Sequence, residues 1–165
     1  MTAQYVFEKS AAFDGESRRA CDAIMGRIYE ENPSYFPYGL RRDMLDGGCW
    51  MVRQASTNTP VGFVGWQERP QGFRKIDYYA VGILPEYRGC GMAKQAVYQL
   101  IKEKSASVDE VRAFIVPGNE PSMALAASLG VPVVHPVTAR AWEIQKRLRV
   151  RKPVKGYGRL LETLP

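Results

Sequence analysis

Histidine and cysteine are scarce in this chain of 165 residues, which has one histidine and three cysteines. Cys21, Cys49 and Cys90 are widely spaced, so they match neither a disulfide framework nor the short repeats of a zinc site. One histidine without paired cysteines argues against a zinc site, and a serine hydrolase would have to place its base at His135, beside Pro136 in an apolar stretch. We therefore expect no metal and no histidine-dependent catalytic triad.

Long apolar runs are also missing, since no stretch approaches the roughly 20 residues that a membrane-spanning helix needs. Residues 1–13 are mixed and polar, without the charged and then apolar segments of a secretory signal. The 45% of hydrophobic and 24% of charged residues are typical of a globular domain with its own core. We expect a cytoplasmic protein that does not associate with membranes.

Acidic residues are absent from residues 146–159, which hold seven of the 23 Lys and Arg residues. Elsewhere sixteen basic residues meet seventeen acidic ones, so the net charge of +6 resides in this segment. We predict a domain at residues 1–145 and a basic C-terminal tail at residues 146–165. The tail is either a solvated segment or a contact for an acidic partner or nucleic acid.

Strand-like and helix-like segments alternate along the chain. The pattern predicts strands at 4–8, 49–55, 61–68, 76–84, 111–116 and 131–137, and helices at 14–29, 40–45, 92–104 and 120–129. The second and third strands are predicted to form an antiparallel hairpin, because turn residues join them. This order predicts an α/β or α+β fold with one mixed sheet.

A glycine-containing loop, Pro-Glu-Tyr-Arg-Gly-Cys-Gly at residues 85–91, lies between a predicted strand and helix. Gly89 and Gly91 allow positive φ and leave backbone N–H groups uncovered. The following helix adds unpaired donors and the positive end of its dipole, and Arg88 adds a positive charge. The loop therefore predicts a pyrophosphate site. It matches neither a nucleotide P-loop nor the dinucleotide fingerprint, which needs glycine at Lys94.

The spacing Arg88-x-x-Gly91-x-Ala93 resembles the signature Gln/Arg-x-x-Gly-x-Gly/Ala of the GNAT superfamily of acyl-CoA-dependent N-acyltransferases. The segment from Asn119 to Gly130 resembles the element that follows in that family. The resemblance is specific over residues 77–131. It implies a single GNAT-like domain, with a central, mostly antiparallel sheet, helices on both faces and a splayed strand at the coenzyme site.

The resemblance also implies which residues hold acetyl-CoA, the expected co-substrate. Its pyrophosphate is expected over the loop, and its pantetheine arm beside the end of the preceding strand and Asn119. The implied coenzyme-binding set is Val81, Ile83, Leu84, Arg88, Gly89, Cys90, Gly91, Met92, Ala93, Asn119 and Ser122. Asn119 equally suits a turn residue that caps the next helix. Cys90 has no paired base and is interpreted as a loop residue rather than a nucleophile.

Acyl transfer to an amine needs a base, because an amine with a pKa near 10 is mostly protonated at neutral pH. The resembled family often places a carboxylate on the long strand, and the matching residue is Asp77. Glu68 is a rival, and Asp77 can also be a solvated strand residue. The family's usual acid, a tyrosine, falls at Ala126. The thiolate then leaves unassisted, Ser122 or Tyr157 serves, or catalysis is lost.

The sequence thus predicts an N-acyltransferase, in particular an N-acetyltransferase, that acts by direct attack of a primary amine on acetyl-CoA. The acceptor, a small molecule or a peptide, is expected beside the early helices. Tyr35, Phe36 and Tyr38 form an aromatic cluster there, and Glu30 and Glu31 suit a cationic acceptor. The alternative is a catalytically inactive GNAT-fold binding or structural protein that contacts an acidic partner or nucleic acid through its basic tail.

Overall fold

A computed structural model describes residues 4–10, 15–33, 47–68, 72–113, 115 and 118–130. The strands are β1 (Tyr5–Ser10), β2 (Gly48–Gln54), β3 (Pro60–Glu68), β4 (Ile76–Ile83) and β5 (Glu110–Ala113). The helices are α1 (Gly15–Glu31), α2 (Met92–Lys104) and α3 (Glu120–Ser128), and a 3-10 turn, Pro85–Tyr87, follows β4.

Several predictions fall outside the described residues. They are the start of the first helix at Asp14, the helix at 40–45, the aromatic cluster at 35–38, the strand at 131–137 and the basic tail. The division into a domain at 1–145 and a tail at 146–165 therefore stays a prediction.

The described strands form one sheet in the order β1-β2-β3-β4-β5. The first four strands pair antiparallel in chain order, and β5 pairs parallel with β4. Turns join the antiparallel neighbours β2 to β3 and β3 to β4, whereas the parallel pair needs a crossover, which α2 supplies. The predicted mixed, mostly antiparallel sheet and its hairpin are confirmed.

Helices cover both faces of this sheet, as the predicted fold class requires. Alternate side chains of a strand point to opposite faces, so neighbours such as Phe63 and Val64 join different apolar clusters. The α1 cluster consists of Cys21, Ile24, Met25, Ile28, Cys49, Met51, Phe63 and Leu84. On the other face, the larger cluster contains residues of the sheet, α2 and α3. Burial of apolar surface on both faces holds the layers together.

Helix α2 has the bounds that the sequence predicts, because the loop glycines precede it and an apolar stripe runs along it. Strand β5 is shorter than predicted and ends at Ala113. Ile115 is buried but lies outside the strand. An apolar run in the sequence indicates which residues are buried, and it does not show where strand pairing ends. In α1, Ala23 and Arg27 lie next to the buried Ile24 and Ile28, yet both are exposed.

The pairing of β4 with its two neighbours differs in length. Its register with β3 runs from Asp77 to Ile83, whereas its register with β5 runs only from Ile76 to Tyr79. Among the described residues, the β5 side of Ala80–Ile83 therefore has no strand partner. The splayed strand end that the fold prediction placed before the loop stays a prediction, because residues 114, 116 and 117 lie outside the described residues.

Candidate functional site

The loop at residues 85–91 leads from the end of β4 into α2. Gly89 and Gly91 have φ of 84° and 77°, in the left-handed region that favours glycine. No atom lies within 4 Å of the position that a Cβ would take at either glycine. The backbone of the loop is therefore open to a ligand.

Backbone N–H donors accumulate in this loop. The N–H of Gln95 donates to the carbonyl of Gly91 at 3.0 Å, which leaves the N–H groups of residues 92–94 without an intrahelical acceptor. No backbone hydrogen bond among the described residues uses the N–H groups of residues 89–91. Residues 89–94 thus present consecutive donors at the positive end of the α2 dipole, which suits an anion.

The side chain of Arg88 contacts two other parts of the protein, the end of β4 and the end of α1. Its Nε donates to the carbonyl of Ile83 at 2.9 Å. Its Nη1 lies 2.9 Å from Oε1 of Glu31, and its Nη2 lies 2.8 Å from Oε2. Glu31 therefore already neutralises the positive charge that the sequence placed at the rim of the loop. Two of the five guanidinium N–H donors remain for another acceptor.

A second ion pair lies beside the first. The guanidinium of Arg27 donates to both carboxylate oxygens of Glu86, at 2.7 and 3.0 Å. This pair raises the pKa of Arg27 and lowers the pKa of Glu86, in each case chiefly through the hydrogen bonds between them. The side chains are about half exposed, so water and salt screen the pair.

The other residues predicted at the loop lie together, but not all of them face it. The thiol of Cys90 is exposed and donates to the carbonyl of Tyr87 at 3.2 Å. Met92 is buried in the larger core cluster, and Ala93 packs against that cluster. Side chains at the strand end contribute to packing: Val81 and Ile83 on the α2 side, and Leu84 on the α1 side.

Asp77 lies at the other end of β4, six residues from Ile83, or about 20 Å along an extended strand. Its side chain is only 2% exposed, and Oδ2 lies 3.0 Å from Nζ of Lys104 on α2. By distance this is an ion pair, although Oδ2 has no well-aligned hydrogen-bond donor. Burial raises the pKa of Asp77, and Lys104 offsets part of that effect. The structure does not bring Asp77 to the loop, and its role as base stays a prediction.

Lys104 lies between α2 and the sheet and contacts both Asp77 and Trp66. Its ammonium group lies 4.5 Å from the ring centroid of Trp66, a cation–π contact. Glu68, the rival base candidate, is exposed and lies opposite Asp77 in the register of β3 and β4. Its Oε1 is 3.9 Å from Nζ of Lys104. These contacts describe a buried ion pair with an exposed acidic neighbour.

Asn119 caps α3, because its Oδ1 accepts the backbone N–H of Ser122 at 3.2 Å. The capping interpretation of Asn119 is confirmed, whereas contacts of Asn119 and Ser122 with a coenzyme stay predictions. Ala126, where the resembled family has its tyrosine acid, is 4% exposed and packs in the larger core cluster. Its methyl group has no proton to give, so this position supplies packing only.

Sequence reasoning missed the ion pairing around the loop. It assigned Glu31 to a cationic acceptor and gave Arg27 no partner, yet both reach residues more than 50 positions away. One signal was present: Arg27 and Glu31 are one helical turn apart, and Glu86 and Arg88 carry the opposite charges in the opposite order.

Neither a metal-binding group nor a membrane-spanning helix is found in the part of the chain that the structure describes. No group of three or more His, Cys, Asp or Glu side chains there could hold a metal ion. None of the helices described is long and apolar enough to cross a membrane.

Comparison with known families identifies the fold. The model of the acetyltransferase (GNAT) family matches residues 18–131, well over half of the 165 residues. The chain therefore belongs to the acetyltransferase (GNAT) family. No curated protein sequence matches it significantly.

Solved structures share this fold at low sequence identity. An N-acetyltransferase from Staphylococcus aureus Mu50 is 16% identical, with a TM-score of 0.67 over 98% of this chain and 100% of that one. The ribosomal-protein-S5-alanine acetyltransferase of Vibrio fischeri is 14% identical, with a TM-score of 0.65 over 81% and 82%. A phosphinothricin acetyltransferase from Sinorhizobium meliloti, solved with AcCoA, is 17% identical, with a TM-score of 0.65 over 81% and 77%.

Proposed function

We propose that this protein is an N-acetyltransferase that moves the acetyl group of acetyl-CoA to a primary amine by direct attack. The observation that carries the proposal is the open loop at residues 85–91, whose free N–H groups stand at the start of α2. Membership of the GNAT family supports it, and so does the AcCoA in the Sinorhizobium meliloti relative.

The residues present fit a coenzyme A molecule. The N–H groups of residues 89–94 would hold its pyrophosphate, since glycine leaves no side chain in the way. The side of Ala80–Ile83 that faces away from β3 has no strand partner among the described residues, and its backbone groups would bind the amides of the pantetheine arm. Asn119 keeps its amide N–H₂ group for the same arm, because its cap uses only Oδ1.

The reaction requires three changes of bonding. The amine loses a proton, its nitrogen bonds to the thioester carbonyl carbon, and the carbon–sulfur bond breaks to release the thiolate of coenzyme A. Asp77 is the base that the family resemblance implies, but its ion pair with Lys104 supports a structural role equally well. With alanine at position 126, thiolate departure without a tyrosine acid is part of the proposal.

The acceptor is proposed to be a small-molecule or peptide amine. Relatives of this fold span both classes, from a phosphinothricin acetyltransferase to the NatC complex solved with a Gag peptide and CoA. Cytoplasmic location and contact of the basic tail with an acidic partner or nucleic acid stay predictions.

A second candidate function is an inactive GNAT-fold binding protein. The buried methyl group of Ala126 and the buried carboxylate of Asp77 favour it, because neither position offers an exposed proton donor or acceptor. Turnover decides between the two candidates. Release of free coenzyme A thiol, followed with a panel of amines and peptides, is expected only from an enzyme.

The loop is tested by calorimetric titration of acetyl-CoA into the wild type and Gly91→Glu. We expect micromolar binding by the wild type and none by the variant, because the glutamate puts bulk and negative charge among the free N–H groups. Gly72→Glu is the matched control, since Gly72 also has positive φ and open surroundings but lies in the turn before β4.

Gly91→Ala separates backbone strain from charge, because alanine is strained at φ of 77° but carries no carboxylate. We expect it to weaken binding less than Gly91→Glu. A folded wild type that does not bind acetyl-CoA would overturn the proposed function.

A further inference from the structure

Two ion pairs connect the C-terminal half of α1 with the segment that starts the loop. Arg27 and Glu31 lie one turn apart on α1, and they bind Glu86 and Arg88 respectively. The contact of Arg27 with Glu86 is bidentate, with hydrogen bonds of 2.7 and 3.0 Å. Arg88 donates one hydrogen bond from Nη1 to Glu31 at 2.9 Å, and its Nη2 lies 2.8 Å from the second carboxylate oxygen. Bidentate arginine–carboxylate pairs fix orientation as well as distance. We call these two ion pairs the clamp.

The order of charges in the clamp favours one alignment of residues 86–88 along α1. Along α1 the charges run positive then negative, and along residues 86–88 they run negative then positive. If the loop segment were displaced so that Arg88 met Arg27, or Glu86 met Glu31, like charges would face each other. The clamp therefore specifies which part of α1 the segment meets, beyond any stability that it adds.

Between the two charged residues of the segment, Tyr87 is held by apolar packing. It packs against both core clusters, and its ring lies edge-on to Tyr5 at 6.4 Å between centroids. The start of the loop is thus fixed by one aromatic anchor and two ion pairs. The glycines that follow have no atoms near them that could hold the backbone from outside.

We propose that Arg27 and Glu86 are positioning residues for the coenzyme, because their ion pair fixes the start of the loop and so aims the N–H groups of residues 89–94. The inference rests on the proposed function, since it concerns how the same loop meets the pyrophosphate. Neither residue needs to touch the coenzyme. Glu31 and Arg88 form the other half of the clamp, but Arg88 is itself a predicted coenzyme contact.

The positioning role can be distinguished from a simple effect of net charge, in which Arg27 attracts and Glu86 repels the phosphates of the coenzyme at long range. If only net charge mattered, Arg27→Gln would weaken binding, Glu86→Gln would tighten it and the double variant would resemble the wild type. If the clamp aims the loop, both single changes weaken binding. The second change then adds nothing to the first, because the pair is already broken.

The test is calorimetric titration of coenzyme A into the wild type, Arg27→Gln, Glu86→Gln and the double variant. We expect each of the three variants to bind about three- to five-fold more weakly, the size expected for an exposed bidentate pair. The reversed pair, Arg27→Glu with Glu86→Arg, is expected to recover most of the affinity. The losses should shrink at high salt, which screens exposed charges.

Arg19→Gln is the matched control. Arg19 is an exposed arginine on the same helix, eight residues earlier and so about 12 Å away along the axis. We expect it to bind coenzyme A like the wild type, and thermal unfolding should show that every variant is folded. This control removes the same charge from α1 without touching the clamp.

Each outcome has a defined meaning. Tighter binding by Glu86→Gln, additive effects in the double variant, or equal affinity in all variants would overturn the positioning role while leaving the proposed function intact. A folded wild type that does not bind coenzyme A would overturn the proposed function and this inference with it. Non-additive losses with recovery in the reversed pair support the clamp.

Discussion

Replacing Lys104 by methionine tests whether Asp77 belongs to the fold or to the chemistry. The substitution keeps an unbranched side chain of similar length over Trp66 but removes the cation that lies 3.0 Å from the Asp77 carboxylate. Asp77 is then a buried charge without a partner. We expect Lys104→Met to lower the free energy of unfolding at pH 8.

The size of this effect follows from burial. Breaking a fully buried ion pair costs about 3–5 kcal/mol, because the remaining charge stays desolvated. The side chain of Lys104 keeps 12% exposure, so water can reach the site and we take the lower value of about 3 kcal/mol. For a domain of this length that corresponds to a fall of about 6–12 °C in Tm.

The effect should depend on pH in a definite direction. The pKa of Asp77 is already raised by burial, and replacing Lys104 removes the positive charge that lowers this pKa. With a raised pKa the native state binds more protons than the unfolded state, so stability falls as pH rises through the folded pKa. The deficit of Lys104→Met is therefore expected to be smaller at pH 5 than at pH 8.

The assay is urea unfolding at both pH values, with Lys102→Met as control, since Lys102 is exposed on the same helix. A deficit below about 1 kcal/mol at pH 8, or a larger deficit at pH 5, would refute the reasoning. Asp77→Asn is measured alongside for turnover. A general base contributes about 10²–10⁴-fold to rate, so unchanged kcat in the folded variant would assign Asp77 to the fold.

Two further predictions concern stability. Asn119→Ala is expected to cost about 1 kcal/mol by denaturant unfolding, because the N–H of Ser122 loses its cap. Gly62→Ala is expected to cost about 1–3 kcal/mol, because its Cβ would clash with Cδ1 of Ile83 and stand 2.9 Å from the carbonyl oxygen of Gly82. Gly26→Ala, in α1 with no atom within 4 Å of its Cβ position, is the control and should stabilise slightly.

A conservative change separates the two roles assigned to Asn119. Asn119→Ser keeps an oxygen that can cap α3 but removes the amide that is proposed to reach the coenzyme. We expect it to unfold like the wild type and to bind acetyl-CoA more weakly. Equal affinity would limit Asn119 to capping.

Local signals in the sequence were sufficient for most of the fold. The bounds of α2 follow from the loop glycines and an apolar stripe with a 3.6-residue period, and both are properties of neighbouring residues. The hairpin of β2 and β3 follows from turn residues between two β-prone runs. Strand β5 was predicted too long. The apolar run from Val111 onward indicates that these residues are buried, but it does not show where pairing with β4 ends.

The site was harder to predict, since its interactions join distant residues. Alternation along a strand puts Asp77 on one face of β4 with Tyr79, but it does not show that Lys104 lies over that face. Likewise the loop glycines are visible in the sequence, whereas the partners that α1 gives to the loop are not. Periodicity identifies a face and not the element that covers it.

The strand order has a consequence for how the molecule is made. Short connections join β2 to β3 and β3 to β4, and β1 has already been synthesised when β2 emerges, so the first four strands can pair while later residues are still being made. Strand β5 joins only after the whole of α2 has passed over the sheet. A nascent chain therefore has its antiparallel strands before β5, and the proposed coenzyme site is incomplete until the last described strand has docked.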